Sequence, residues 1–380
     1  MSAARIWDEA MLQEMRQRGD PPADRLVQEL VASHDIASAS RVFGAFGAND
    51  AQLPQDAPAR LRAFVAATGE LPTGLDVARA EEGARVLLDN AFLCAFILLA
   101  KTLPEGYAAP PLSRILHFTH NLEYHPYRRL LGVLQLLVNI SAPGAFVPQG
   151  RAVVTAQKLR LLHAGIRHVV REKDPDFAKV YGSAVSQEDL IYTTLTFSHH
   201  VIEGLKALGA PLTADQADAY YAMWHGYGLL QGVDPRWMPA NLEEAESFSA
   251  VYARHFVAAE ANPAGVALTQ ADLNMLQDLV PGPLRALGLG LAPRFYMVHL
   301  IGDAAAARVG LQRATGHHLL GWMLMRLPAL WRGFWGSVAP HREQHEALSR
   351  LFFRDLIKRT WNGEVTFSIP ESMRDLGSLA

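Results

Sequence analysis

The sequence contains a single cysteine, Cys94, among its 380 residues. One cysteine excludes an internal disulfide, and it also excludes zinc or iron–sulfur sites that need several cysteine ligands. Cys94 lies in the apolar run from Ala91 to Ala100, so we expect it to be a buried small hydrophobic residue.

An excess of charge of either sign is also absent. The chain has 35 basic and 38 acidic residues and a formal net charge of −3, without a basic arm, so we expect no nucleic-acid partner. The longest apolar run, 91–100, is about half the length that a bilayer requires, which predicts no transmembrane segment. The first twenty residues are charged and amphipathic and lack the apolar stretch of a secretion signal. We therefore predict a cytoplasmic protein, for which contact with a membrane surface stays open.

Alternating strand patterns, internal repeats and low-complexity linkers are missing as well, whereas helical periodicity recurs along the chain. The sequence therefore predicts an all-α fold with a single large domain over 1–380. Within it we distinguish an N-terminal helical extension (1–75), a core (76–340) and a C-terminal helix with a tail (341–380). The longest predicted helices are 76–100, 151–171, 186–209 and 213–232, with a loop at 104–111; the segment 114–140 ends in an apolar stretch that we expect to be buried.

Phosphate-binding loops, dinucleotide fingerprints, the HExxH motif and the GxSxG motif are not found. The most informative segment is instead the predicted helix 151–171. At about 100° per residue, Arg160, His163, Ala164 and Arg167 share one arc of that helix. The histidine could bind a metal and the arginines could pair with carboxylates, which suits a flat anionic ligand. The alternative is an ordinary solvated helix face.

The predicted helix 186–209 carries a second polar line, formed by Tyr192, Thr196, His199 and Glu203. Ser186 followed by Asp189 approximates a capping box at its start. His199 and His200 point about 100° apart on a helix, so at most one of them faces a given partner. Here too the alternative is a solvated polar face. We interpret the remaining histidines as packing or surface residues: His225 between helices, and His117, His120 and His125 on a polar face.

Three segments in this order resemble the rubber oxygenase family, which includes the latex-clearing proteins and the MpaB-type oxygenase catalytic domain. They are LRLLHAGIRHVV, VSQEDLIYTTLTFSHHVIEGLKALGAPLT and YYAMWHGYGLLQGVDPRWMP. The resemblance implies a globin-like helical bundle that encloses haem b and uses dioxygen to cleave an isoprenoid double bond.

The same resemblance assigns individual positions. The family's distal arginine matches Arg160, its iron-capping lysine matches His163, and its threonine matches Ala164. The family's proximal histidine falls on Leu195, which cannot bind iron, and its glutamate base falls near Gly144. His199, one turn beyond Leu195, could replace the missing ligand.

Two ligand schemes follow from these matches. In the first, His199 is proximal and His163 is a removable distal ligand. In the second, His163 alone is proximal, and Arg167 or Arg160 donates a hydrogen bond to dioxygen. We accordingly predict Arg160, His163 and Arg167 as catalytic residues, His163 and His199 as metal ligands, and Ala164 and Thr196 as further cofactor contacts.

The expected function is a haem-b oxygenase acting on a lipophilic unsaturated, isoprenoid-like molecule smaller than rubber. Two alternatives remain open: a non-catalytic redox or gas-sensing protein whose iron is bound by two histidines, and a metal-free carrier of hydrophobic ligands. The oligomeric state is left undefined.

Overall fold

A computed structural model of the chain describes residues 5–33, 53, 57–118, 126–255, 262–280, 282–286, 288–312 and 347–351. Within these ranges, only the backbone is described for residues 117–131 and 255. Most of the predicted C-terminal helix and tail (341–380) therefore lies outside the described residues, and the side chains of His117, His120 and His125 are not described.

The described chain is all-α, as predicted, and contains no strand. The helices are α1 (Glu9–Arg16), α2 (Pro21–Ala32), α3 (Ala59–Thr68), α4 (Val77–Asp89), α5 (Ala91–Ile97), a π-helix (Leu98–Thr102), α6 (Leu103–Tyr107), α7 (Pro110–Phe118), α8 (Pro126–Ile140), α9 (Arg151–Lys173), α10 (Phe177–Tyr181), α11 (Gln187–Phe197), α12 (His199–Ala207), α13 (Ala214–Leu230), α14 (Leu242–His255), α15 (Pro263–Asp278), α16 (Gly282–Ala286), a 3₁₀ turn (Leu289–Leu291) and α17 (Ala292–Arg308).

Side-chain caps fix where many of these helices begin. The capping box predicted at Ser186 and Asp189 is confirmed: the Ser186 hydroxyl accepts from the Asp189 N–H, and the Asp189 carboxylate accepts from the Ser186 N–H. Thr213 and Gln216 form a second capping box at the start of α13. Such caps satisfy N–H groups that have no partner within the helix, and each contributes about 1 kcal/mol.

The largest hydrophobic cluster surrounds α4, α5 and α13. Helices α4 and α13 approach closely because Gly83 has no side chain, and a Cβ at this position would overlap the carbonyl oxygen of Ala219. Cys94 is fully buried in this cluster, as predicted, and burial raises the pKa of its thiol to about 12.

Two predicted helices are broken in the structure. The segment 76–100 divides at Asn90, whose side-chain amide donates to the Val86 carbonyl at 3.0 Å. The segment 186–209 divides at Ser198, whose backbone leaves the helical region (φ −107°, ψ −86°) and whose hydroxyl donates to the Thr194 carbonyl at 2.9 Å. Both side chains bond to the preceding turn, which is known to bend helices.

The predicted loop at 104–111 is wrong, because most of this segment is helical. The chain runs from α5 through the π-helix into α6, and α7 begins at Pro110. Among the described residues, no single helix has the length and hydropathy of a membrane span. Helix α4 and the segment Ala91–Tyr107 reach that length and hydropathy only when taken together, and the chain bends by 85° between them.

The N-terminal helices are bound to the rest of the fold by buried polar contacts. Arg16 on α1 pairs with Glu188 on α11 at 2.7 Å. The Gln187 side-chain amide donates to the carbonyls of Gly19 (2.8 Å) and Gly232 (2.9 Å), and its oxygen accepts from the Asp234 N–H at 2.8 Å. Gln187 thus joins the α1–α2 turn, the start of α11 and the turn after α13.

Candidate functional site

Helix α9 presents Arg160 to the start of α2. The Arg160 Nε and Nη2 donate to the two carboxylate oxygens of Asp20 at 2.7 and 2.9 Å. The side chain of Asp20 is 2% exposed and that of Arg160 is 11% exposed, so the pair is buried. The Arg160 guanidinium also lies 5.6 Å from the ring centroid of Phe64 on α3. The arginine matched to the family's distal position is therefore paired within the protein.

Arg167, two turns further along α9, has a similar arrangement. Its Nε donates to the Asp24 carboxylate at 2.6 Å, and its Nη1 donates to the Val185 carbonyl at 3.0 Å. Its buried Nη2 has no hydrogen-bond acceptor among the described residues. Arg167 thereby fixes α9 against α2 and against the residues that precede α11, and it retains one unused donor.

The other predicted residues on α9 differ in burial. Ala164 is buried in a small hydrophobic cluster with residues of α2 and α3. His163 is half-buried and lies on the same helix, about 60° around the axis from Arg160. The paired arginines and Ala164 thus contact α2 and α3, whereas His163 lies at the edge of that contact.

On α11, Leu195 is completely buried in an apolar cluster, where it has no role as a ligand. Thr196 is buried, and its hydroxyl donates to the Thr193 carbonyl at 2.7 Å. Thr193 is exposed, although every other residue of α11 is buried. Solvent therefore reaches α11 at Thr193, the residue whose carbonyl accepts the Thr196 hydroxyl.

His199 is the first residue of α12, directly after the break at Ser198. It is 8% exposed, and its Nδ1 has no hydrogen-bond partner among the described residues. The Oε2 of Glu203, one turn later, lies 3.9 Å from this nitrogen. Burial lowers the pKa of His199, so the neutral imidazole that metal coordination requires is favoured.

His200 is committed to a buried network that the sequence analysis did not identify. Its Nδ1 lies 2.8 Å from Glu105 Oε2, and its Nε2 lies 3.1 Å from Ser249 Oγ. The buried Lys101 donates to Glu105 at 2.7 Å. Burial alone would raise the pKa of Glu105, but the charges of His200 and Lys101 outweigh it and lower that pKa.

The only sequence signal for this network was the spacing of Lys101 and Glu105, four residues apart after the apolar run. Ligand atoms of His199, His200 and Glu203 lie within 4.8 Å of one another. Because both ring nitrogens of His200 already have partners, His199 is the imidazole of this group that is available for coordination.

His225 is half-buried and lies near the ring of Tyr221 on the same helix, α13, with 6.1 Å between ring centroids, so packing of His225 between helices stays a prediction. A groove of about 700 Å³ lies where α2, α3, α9 and α13 meet, and Arg160, Phe64 and Arg25 are among its lining residues.

Residues 84–332 match the family model described as "ER-bound oxygenase mpaB/B'/Rubber oxygenase, catalytic domain". The chain belongs to this family. The resemblance inferred from the three sequence segments is thereby confirmed, and the chain is a member of a family of oxygenase catalytic domains.

Two individual proteins agree with this family membership. The rubber oxygenase of Streptomyces sp. (strain K30) is 24% identical over 287 residues, which are 75% of this chain and 69% of the relative. A structure titled "Structure of Latex Clearing Protein LCP in the closed state" superposes with a TM-score of 0.71 at 20% identity, over 88% of this chain and 91% of that chain. This structural likeness shows a shared all-α fold.

Proposed function

We propose that this family member is a haem-b-dependent oxygenase that adds dioxygen to a lipophilic unsaturated, isoprenoid-like small molecule and can cleave it. The observation that carries the proposal is His199: a buried imidazole at the start of α12 whose Nδ1 has no hydrogen-bond partner among the described residues. Membership of an oxygenase family supports the reaction class.

The residues present fit a haem. A neutral imidazole is the commonest protein ligand of haem iron, and burial favours that form of His199. Thr193 on α11, the helix that precedes α12, is exposed to solvent. When bound, haem would supply the iron that activates dioxygen, while the protein supplies ligands, orientation and exclusion of water.

Both ligand schemes remain proposals. With His199 as the proximal ligand, half-buried His163 on α9 is a second imidazole that could cap the iron. With His163 as the only ligand, the unused Nη2 of Arg167 is the donor best suited to dioxygen, because Arg160 is bidentate to Asp20. Thr196 would border the macrocycle, and Ala164 would act through the packing of α9 on α2.

The test is the Soret absorbance of the protein loaded with hemin, compared among His199→Ala, His163→Ala and the control His299→Ala, whose parent residue is exposed. We expect His199→Ala or His163→Ala, according to the scheme, to shift the Soret band or to weaken hemin retention, while the control stays unchanged. Full hemin retention with an unchanged band in both variants would refute the proposal.

The reaction itself is tested by oxygen consumption with squalene as the unsaturated probe. Uptake that requires both hemin and squalene is expected. Fully loaded protein that consumes no oxygen with any member of a panel of unsaturated lipids would contradict the oxygenase assignment.

A second candidate is a redox or gas-sensing protein whose iron carries two histidines. The pairing of Arg160 with Asp20 favours it, because this guanidinium is not free to bind dioxygen. Carbon monoxide distinguishes the two: rapid binding to the ferrous protein supports the oxygenase, and a persistent six-coordinate spectrum supports the sensor. The cytoplasmic location and contact with a membrane surface remain proposals from the sequence.

A further inference from the structure

The surroundings of His199 contain a half-exposed carboxylate, that of Glu203. Glu203 lies one turn after His199 on α12, and its side chain is 49% exposed. Among the described residues, its close polar neighbours are Lys101 Nζ at 3.4 Å and His199 Nδ1 at 3.9 Å. It therefore stands between a cation and the His199 Nδ1, which has no hydrogen-bond partner among the described residues.

Lys101 reaches this point because of the π-helix. Residues Leu98–Thr102 form one widened turn in the middle of an apolar segment, and Lys101 is 6% exposed within it. Its ammonium group bonds to Glu105 at 2.7 Å and lies within ion-pair distance of Glu203. Single π-turns within α-helices are often found at functional sites. Here the π-turn places a buried cation against the carboxylate on α12.

His200 holds the other side of the same turn. Its ring nitrogens contact Glu105 and Ser249, and its ring lies edge-on to Tyr192 at 5.5 Å. The first turn of α12 is thus fixed by one histidine, while the neighbouring histidine is left for another partner.

We propose that Glu203, held by Lys101, is the positioning residue that accepts a hydrogen bond from His199 Nδ1 and so presents Nε2 to the haem iron. The proposal rests on the proposed function. A shift of about 1 Å by the half-exposed Glu203 side chain brings the 3.9 Å separation into hydrogen-bond range. Metal-binding histidines usually donate their second ring N–H to a carboxylate or carbonyl, which fixes the tautomer and makes the ligand more basic.

The experiment uses the hemin-loaded full chain and the variant Glu203→Gln, which keeps the size of the side chain and removes its charge. Two quantities are measured: the rate of hemin loss to an excess of a haem-scavenging protein, and the iron–histidine stretching frequency of the ferrous protein by resonance Raman spectroscopy. We expect hemin loss to be about tenfold faster. We also expect the stretching frequency to fall, because a neutral amide makes the imidazole a weaker donor. Glu243→Gln, an exposed glutamate on α14, is the matched control and should change neither quantity.

Lys101→Met is the second variant and should change the stretching frequency in the same direction as Glu203→Gln. A residue that contributes only to folding would not move this frequency. If His199→Ala alters both readouts while Glu203→Gln leaves both at the parent values, His199 is a ligand and the role of Glu203 is refuted. If His199→Ala also leaves both unchanged, the assignment of His199 as ligand fails, and this inference fails with it.

Discussion

The ion pair between Arg160 and Asp20 provides a quantitative test of what the polar face of α9 does. The side chains are 11% and 2% exposed and share two hydrogen bonds of 2.7 and 2.9 Å. Removing one member of a buried pair leaves the other charge desolvated and costs about 3–5 kcal/mol. Asp20→Asn keeps a side-chain oxygen for one hydrogen bond and for the α2 cap, so we expect a loss near the lower limit, about 3 kcal/mol.

The measurement is the free energy of unfolding by urea, read by circular dichroism for the parent, Asp20→Asn, Arg160→Met and the double variant. The double variant should be more stable than the sum of the single losses predicts, by about 2 kcal/mol, because it leaves no unpaired charge. Arg25→Met, an exposed arginine on α2, is the control and should stay within about 0.5 kcal/mol of the parent. A loss below about 1 kcal/mol for Asp20→Asn, with additive single effects, would refute a structural role for the pair.

The remaining predictions concern packing and pH. Gly83→Ala should destabilise the protein by about 2 kcal/mol, because the new Cβ would overlap the Ala219 carbonyl. Gly106→Ala is the control: nothing lies within 4 Å of its new Cβ, so this variant should be neutral or stabilising. Equal urea midpoints for the two variants would contradict this reasoning. Burial lowers the pKa of His225, so the folded state binds fewer protons than the unfolded state once the pH falls below about 6.5, and the unfolding free energy should decrease there. In urea titrations between pH 7.5 and 5.5, His225→Phe should flatten this pH dependence, whereas His299→Phe, at an exposed position, should not. An unchanged slope for His225→Phe would contradict the inference that His225 is the source of the pH dependence.

Local sequence signals predicted most of the helices, because periodicity and caps act within a few residues. The Ser186–Asp189 capping box and the buried Cys94 are examples. The breaks at Asn90 and Ser198 were missed, since a single polar side chain that bonds to the preceding turn leaves the hydrophobic periodicity intact.

The candidate site was predicted in its residue types but not in its partners. Arg160 and Arg167 were identified on one arc, yet the aspartates that bind them lie 140 and 143 residues away. Likewise, Glu105 and His200 are 95 residues apart in the sequence. Helical periodicity carries no information about pairs of side chains that are distant in the sequence. The sequence therefore identified candidate arginines and histidines, but it did not show which of them form ion pairs or hydrogen bonds within the protein.

The side chain of Gln187 has a practical consequence for anyone shortening or tagging this protein. Its amide bridges the carbonyls of Gly19 and Gly232 and receives the N–H of Asp234. A deletion up to residue 20 would remove the Gly19 carbonyl, one of the two acceptors of this amide, and also Arg16, the partner of the buried Glu188. Removing the first helix should therefore lower the stability of the remaining fold, even though the matched family segment begins only at residue 84.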